Sequence, residues 1–168
     1  MHLSKGFTLL ELMIAVVIVS IMTAIALPSY GEYVRRSATS LTQQEMLRLA
    51  EQLERHRARN LTYRNFNPSF LYTGVSNTTV LTDVFVPGGD QNNNSKYKVE
   101  LWDTSTSIPV RLTEANALGQ RWAMKAYPID VNDQKSDKIL LTSTGIKCAN
   151  KVLSRISYTD CGSGAEKW

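Results

Sequence analysis

From Phe7 to Leu27 the chain runs through 21 predominantly apolar residues, interrupted by a single carboxylate, Glu11. That length is about the 20 residues an α-helix needs to cross the hydrocarbon core of a bilayer. An ionisable group inside such a segment is costly and is normally retained for a function. A short leader with one basic residue, Lys5, ends in Gly6 just before the run; Pro28 follows it, and Arg35-Arg36 lie beyond. Glu11 is therefore the residue to explain first.

Three accounts of this segment compete. A secretory signal combines a basic start, an apolar core and a small-residue cleavage site, and Ala24-Ile25-Ala26 satisfies the last condition. Glu11, however, falls where such a signal is purely apolar, and the charged start is thin. A plain membrane anchor has the right length. The third account is a leader cut between Gly6 and Phe7, which leaves the apolar helix on the mature chain. The residues Gly6-Phe7-Thr8-Leu9-Leu10-Glu11-Leu12-Met13 favour the third, because they resemble the class III signal of type IV pilins and pseudopilins. The resemblance implies that a prepilin peptidase cleaves after Gly6 and methylates the new amino terminus at Phe7.

It also implies a partner for Glu11. Packed apolar helices exclude water, and an uncompensated buried charge is strongly destabilising. In the family, the glutamate pairs with the terminal amine of a neighbouring subunit, here that of Phe7. Such a pair sets axial register, as single buried polar groups do in coiled coils. The bland alternative is a Glu11 that snorkels from the helix end to the interface.

After Ser29 the helical pattern becomes one-sided. Thr42, Met46, Leu49 and Leu53 recur at helical spacing among Gln43, Gln44, Glu45, Arg48, Glu51 and Glu54, as expected for a helix with one face against a core. The pattern fades near Asn60, so the expectation is one helix of about fifty residues, kinked at Pro28 because proline lacks the amide donor. The remainder reads as strands. Residues 97–102, 120–127 and 138–143 are strand-like, with clean alternation at 97–102 and 120–127; 78–86 reads as strand or as irregular chain, 108–112 is a further candidate strand, and Gly88 to Ser95 is loop. One helix followed by strands implies an antiparallel sheet packed on that helix, an α+β roll. Tyr97-Lys98-Val99, Trp122 to Pro128 and Ser136 to Gly145 resemble the sheet of PilE-like pilins. One departure stands out: Lys138-Ile139 follow Asp137 where such pilins often carry a cysteine.

The two cysteines, Cys148 and Cys161, form neither a metal-ligand set nor a CxxC redox motif. In the oxidising envelope that the resemblance implies, a disulfide is the default, with free or intermolecular thiols as alternatives. A loop of this size would contribute roughly 3 kcal/mol in the chain-entropy account and pin the C-terminal edge of the sheet.

Catalytic motifs are lacking. A mature chain keeps one histidine, His56, on a polar helix, where a solvated role is the default. There is no G-x-S-x-G elbow, phosphate-cradling glycine loop or H-E-x-x-H pair. Asp130, Asp133 and Asp137 lack the further oxygen ligands and glycine of a calcium loop and read as solvated loop, with calcium binding, which the resemblance to some secretion pseudopilins implies for this region, as the alternative. The expectation is therefore no enzyme, cofactor or metal site. Lys147, Lys151 and Arg155 recur every four residues; on a helical turn they would share one face, with Tyr158 and Trp168 as stacking surfaces for DNA. A solvated basic face is the plainer alternative. The net charge of +4 is compatible with DNA and demands nothing of the kind.

The expected organisation is a leader at 1–6, a transmembrane and filament-core helix at 7–28, and a periplasmic domain at 29–168. By resemblance, the chain is a pilus subunit, most like the minor pilins. Its expected partners are other pilin subunits, the prepilin peptidase and an inner-membrane assembly platform. It would sit in the inner membrane before assembly and then in a filament at the bacterial surface, serving adhesion, twitching motility or DNA uptake. The alternatives are a pseudopilin of a type II secretion system and a membrane-anchored DNA receptor that does not polymerise.

Overall fold

The computed structural model describes residues 7–76, 78–130 and 132–168, apart from the side chains of 26–29. The leader with Gly6, and any bend produced by the Pro28 ring, lie outside that description. The chain forms two compact units divided between Ser37 and Ala38, and one helix, α1 (Leu9–Asn60), runs through both.

In the first unit, α1 carries apolar side chains with no cover: Leu9 is 78% exposed and Ile25 70%. The helix is long and apolar enough to cross a membrane. Two hydroxyls in its apolar stretch are satisfied within the helix. Ser20 Oγ donates to Val16 O (2.7 Å) and Thr23 Oγ1 to Val19 O, so neither leaves an unpaired polar group in an apolar medium. At the apolar segment's far side, Glu32 is held by Arg35 (2.7 Å) and Arg36 (3.1 Å). These guanidinium bonds keep its carboxyl below the usual range.

In the second unit, Met46, Leu49, Leu53 and Thr42 of α1 are fully buried, as their spacing predicts. Thr42 disposes of its hydroxyl by donating to Ala38 O (2.8 Å). The stripe packs on a seven-stranded antiparallel sheet: β1 (Asp83–Val86), β2 (Tyr97–Asp103), β3 (Val110–Arg111), β4 (Trp122–Pro128), β5 (Lys138–Thr142), β6 (Lys147–Asn150) and β7 (Glu166–Lys167). The order is β1-β2-β4-β5-β6-β7, and β3 pairs with β2 beyond the end of β1. The α+β architecture matches the expectation.

Alternation assigns the two faces. Tyr97, Val99 and Leu101 of β2, Met124 and Ala126 of β4, and Ile139 and Leu141 of β5 join the α1 core. Ala123, Leu140 and Cys148 form a second cluster on the opposite face, under Ile156 and Cys161. The C-terminal segment thus covers the face that α1 leaves open.

Three details differ from the expected strands. Of 78–86 only Asp83–Val86 pairs, because the Asn67 side chain holds the preceding backbone: its Nδ2 donates to Thr79 O (2.8 Å) and its Oδ1 accepts from Leu81 N (3.1 Å). The 108–112 strand shrinks to Val110–Arg111. Strands β6 and β7 have too few residues for a period-two pattern to stand out.

Candidate nucleic-acid interface

The N-terminal residues come first. Phe7 is 80% exposed. Thr8 caps α1: its Oγ1 accepts from Glu11 N and its carbonyl from Leu12 N, both at 3.2 Å. Thr8-x-x-Glu11 is therefore one half of a capping box, a detail hidden by reading the segment only for hydropathy. Glu11 sits in the first turn, where the helix dipole favours a carboxylate.

At the other end, Cys148 and Cys161 form a disulfide across 13 residues. Lys147, Lys151 and Arg155 do not form one helical face. Lys147 lies in β6, Arg155 closes a 3-10 turn (Leu153–Arg155), and Lys151 sits between them. Strand alternation places Lys147 on the α1 side of the sheet edge, its ammonium 5.9 Å from the Trp168 ring centroid. Lys151 donates to Lys135 O (3.1 Å) and faces Asp137 at 3.6 Å. Arg155 reaches Ser163 O (3.1 Å). The spacing of four was misleading because the segment has β and 3-10 geometry. Tyr158 is also engaged, with the Lys125 ammonium 3.6 Å from its ring centroid and Trp102 edge-on at 5.4 Å.

The acidic loop is more ordered than a solvated loop. Asp133 Oδ1 accepts from Lys135 N and Ser136 N (3.0 Å each), and Oδ2 from Ser136 Oγ (2.6 Å). The cation in this turn is the chain's own: Lys138 Nζ donates to the carbonyls of Asp133 (2.7 Å) and Ser136 (2.9 Å). His56 is a fastener. Its Nε2 donates to Arg64 O (3.0 Å), its Nδ1 accepts from Asn60 Nδ2 (3.2 Å), and its ring meets Phe66 edge-on. These bonds tie the last turn of α1 to the chain that follows.

That last turn holds a feature missed in the sequence. Residues 48–64 contain five arginines against two glutamates, most of the chain's net charge in one short stretch. The structure sorts them. Arg48 holds Leu71 O (3.1 Å), Arg57 the Tyr63 hydroxyl (3.0 Å) and Arg64 Ala115 O (2.6 Å). Arg55 pairs with Glu51. Arg59 has no hydrogen-bond or ion-pair partner among the described residues. Arg55 and Arg59 line a cleft of about 350 Å³ with Gln52, His56, Asn60 and Phe70. Phe70, on a 3-10 turn (Pro68–Leu71) that Asn67 caps, is 57% exposed. Guanidinium groups for phosphates, side-chain amides for base edges and an open aromatic face are the groups that bind nucleic acid. The arginines were visible in sequence, but Phe70 lies in a segment without readable periodicity.

A family model described as type IV minor pilin ComP, DNA uptake sequence receptor, matches residues 28–150. This chain belongs to that family of type IV minor pilins. A second model, the prokaryotic N-terminal methylation motif, matches residues 1–27 of the same minor pilin. Similar curated proteins include a type IV major alpha-pilin of Moraxella bovis, 48% identical over 27% of this chain and 29% of its own length. A type IV major fimbrial protein FimA of Dichelobacter nodosus is 46% identical over 31% of this chain and 35% of its own. Fimbrial protein Q of Moraxella bovis is 52% identical over 24% of this chain and 26% of its own. The chain thus spans about a third or less of the length of these relatives. No solved structure matches it.

Proposed function

We propose that this minor pilin is made as a prepilin, cut after Gly6 by the prepilin peptidase, methylated at Phe7 and anchored in the inner membrane by α1. An assembly platform then moves it into a surface pilus, where it binds DNA for uptake. Glu11 acts in the second step, pairing with the Phe7 amine of a neighbour to set register.

One observation carries the DNA reading: of the five arginines in 48–64, Arg55 and Arg59 line an open cleft beside the exposed Phe70 ring. Phosphate contacts by such cations give salt-sensitive affinity with little sequence preference, and Phe70 adds stacking. The family description, a DNA uptake sequence receptor, supports the same reading. Lys151 and Arg155, exposed on the disulfide-bonded segment, supply a second set of phosphate contacts, with Lys147 at the sheet edge.

The test is uptake of labelled DNA into a nuclease-protected state by cells carrying Arg55→Ala/Arg59→Ala, with the subunit quantified in sheared filaments. The reading expects normal incorporation and uptake reduced about tenfold or more. Unchanged uptake overturns the helix-end site. Absence of the wild-type subunit from filaments favours a non-polymerising receptor, and a secretion defect without pili favours a pseudopilin.

A further inference from the structure

Directly beyond the apolar stretch, α1 carries Tyr30, Glu32, Tyr33, Arg35 and Arg36. At about 100° per residue, Tyr30, Tyr33 and Arg36 fall on one helix face. Both tyrosine rings are exposed, and neither hydroxyl has a hydrogen-bond partner among the described residues. Glu32 joins the two arginines: Arg35 Nη2 donates to its Oε2 (2.7 Å) and Arg36 Nε to its Oε1 (3.1 Å). The bonds from Arg35 and Arg36 hold the Glu32 carboxyl below its usual pKa, so it is ionised at neutral pH. Arg35 in effect neutralises Glu32, and the charge of Arg36 is left over. Arg36 is exposed, Glu32 is its only partner among the described residues, and most of its N–H donors stay unused.

Axial level indicates what would accept from those donors. Helical side chains lean toward the N-terminus, here toward the apolar stretch, and Arg36 reaches back one turn to the level of Glu32. Glu32 lies beyond Leu27 by about 7.5 Å along the axis, at 1.5 Å per residue. The polar layer on each side of a bilayer's hydrocarbon core is roughly 5–7.5 Å thick. With Phe7 to Leu27 filling the core, Arg36 stands among headgroup phosphates. Tyr30 then lies at the boundary of tails and headgroups, where interfacial aromatic residues sit. A guanidinium forks onto phosphate oxygens, and a tyrosine hydroxyl donates to glycerol or ester oxygens. Duplex DNA is the poorer occupant, because its affinity comes from several phosphate contacts at once and this face offers one free cation.

Building on the reading of α1 as an inner-membrane anchor, we propose that Tyr30, Tyr33 and Arg36 form a site for one anionic phospholipid in the leaflet farther from Phe7. Its phosphate sits on Arg36 and its glycerol and ester oxygens on the tyrosine hydroxyls. Glu32 tunes the site by holding both guanidinium groups and halving their charge. The bound lipid fixes the depth of the span, and so holds the Gly6–Phe7 bond at the opposite interface.

The test is native mass spectrometry of the full chain released from nanodiscs of equal parts phosphatidylglycerol and phosphatidylcholine. Wild type should keep phosphatidylglycerol about fivefold more often than phosphatidylcholine, the effect of one basic charge at an anionic surface. Arg36→Gln should abolish that preference, whereas Glu32→Gln, which frees the second guanidinium, should raise it by a further factor of about five. Tyr30→Leu/Tyr33→Leu should lower lipid retention and leave the preference in place. Equal retention of the two lipids by wild type, or a preference untouched by Arg36→Gln, overturns the proposal. A weaker preference in Glu32→Gln does too, since the ion pairs would then serve the helix alone. Displacement of the lipid by inorganic phosphate or duplex DNA would make this a site for soluble phosphates and equally overturn it. A chain that stays outside the nanodiscs would instead overturn the anchor reading itself.

Discussion

Replacing Asp103 with alanine should be among the most damaging single changes in the second unit. The residue is fully buried at the end of β2. Its Oδ2 accepts from Leu118 N (2.6 Å) and Gly119 N (2.7 Å), and its Oδ1 from Ser105 N (2.8 Å) and the Ser105 hydroxyl. Ser105 Oγ in turn accepts from Gln120 N and Arg121 N, and Gly119 O accepts from Tyr63 N at 2.8 Å. One carboxylate thus holds the loop that receives the chain leaving α1. Hydrogen bonds to a charged group are worth about 1.5–3 kcal/mol each. Their losses do not add fully, so Asp103→Ala should cost about 4–6 kcal/mol, at the upper end for point mutations. In thermal unfolding of the full chain in detergent, followed by near-ultraviolet circular dichroism, this is a fall of about 10–20 °C. The pH dependence has a definite sign. Burial alone would raise the Asp103 carboxyl, but the bonds from Gly119, Ser105 and Leu118 outweigh it and hold the pKa below its usual value. The stability it confers is complete above the unfolded pKa of about 3.9 and is lost as pH falls through the lower folded value. The gap between wild type and Asp103→Asn should therefore narrow below about pH 4. A cost under about 1 kcal/mol at pH 7, or a gap that widens on acidification, would refute the reasoning.

Gly119→Ala should cost at least about 2 kcal/mol, because its φ is +65° and a Cβ would clash with Thr62 Oγ1 and the Arg64 backbone; equilibrium unfolding reads it. Removing the disulfide with Cys148→Ser/Cys161→Ser should cost about 3 kcal/mol for a loop this short and expose Ala123 and Leu140 beneath it, measurable as unfolding free energy and dye binding. Glu11→Val should still be cleaved, visible as a mass shift, yet be depleted from sheared filaments; normal incorporation would contradict the register role.

Long-range order in α1 and in β2, β4 and β5 was legible because each buries one face for many residues. The period of α1 leaves Met46, Leu49 and Leu53 on one line, and that of β2 alternates Tyr97, Val99 and Leu101 inward. Where one side chain overrides the pattern, the sequence misled. Asn67 takes the backbone that 78–82 would have offered to a strand. The spacing of Lys147, Lys151 and Arg155 suggested a helix in a segment whose geometry is set by a strand and a disulfide. The helix-end cleft was half visible. Its arginines were in plain sight, but only tertiary structure brings Phe70 beside them and shows which guanidinium groups are already engaged.

The central claim is that DNA is bound by the cations at the end of α1. A salt titration of labelled duplex binding to the full chain in detergent tests it most directly. Each phosphate contact contributes about −0.9 to the slope of log K against log salt. Arg55→Ala/Arg59→Ala should make that slope shallower by about 1.8, and Lys151→Ala/Arg155→Ala should leave the helix-end contribution in place. A wild-type slope unchanged by the helix-end pair, or wild-type binding insensitive to salt, would contradict the account.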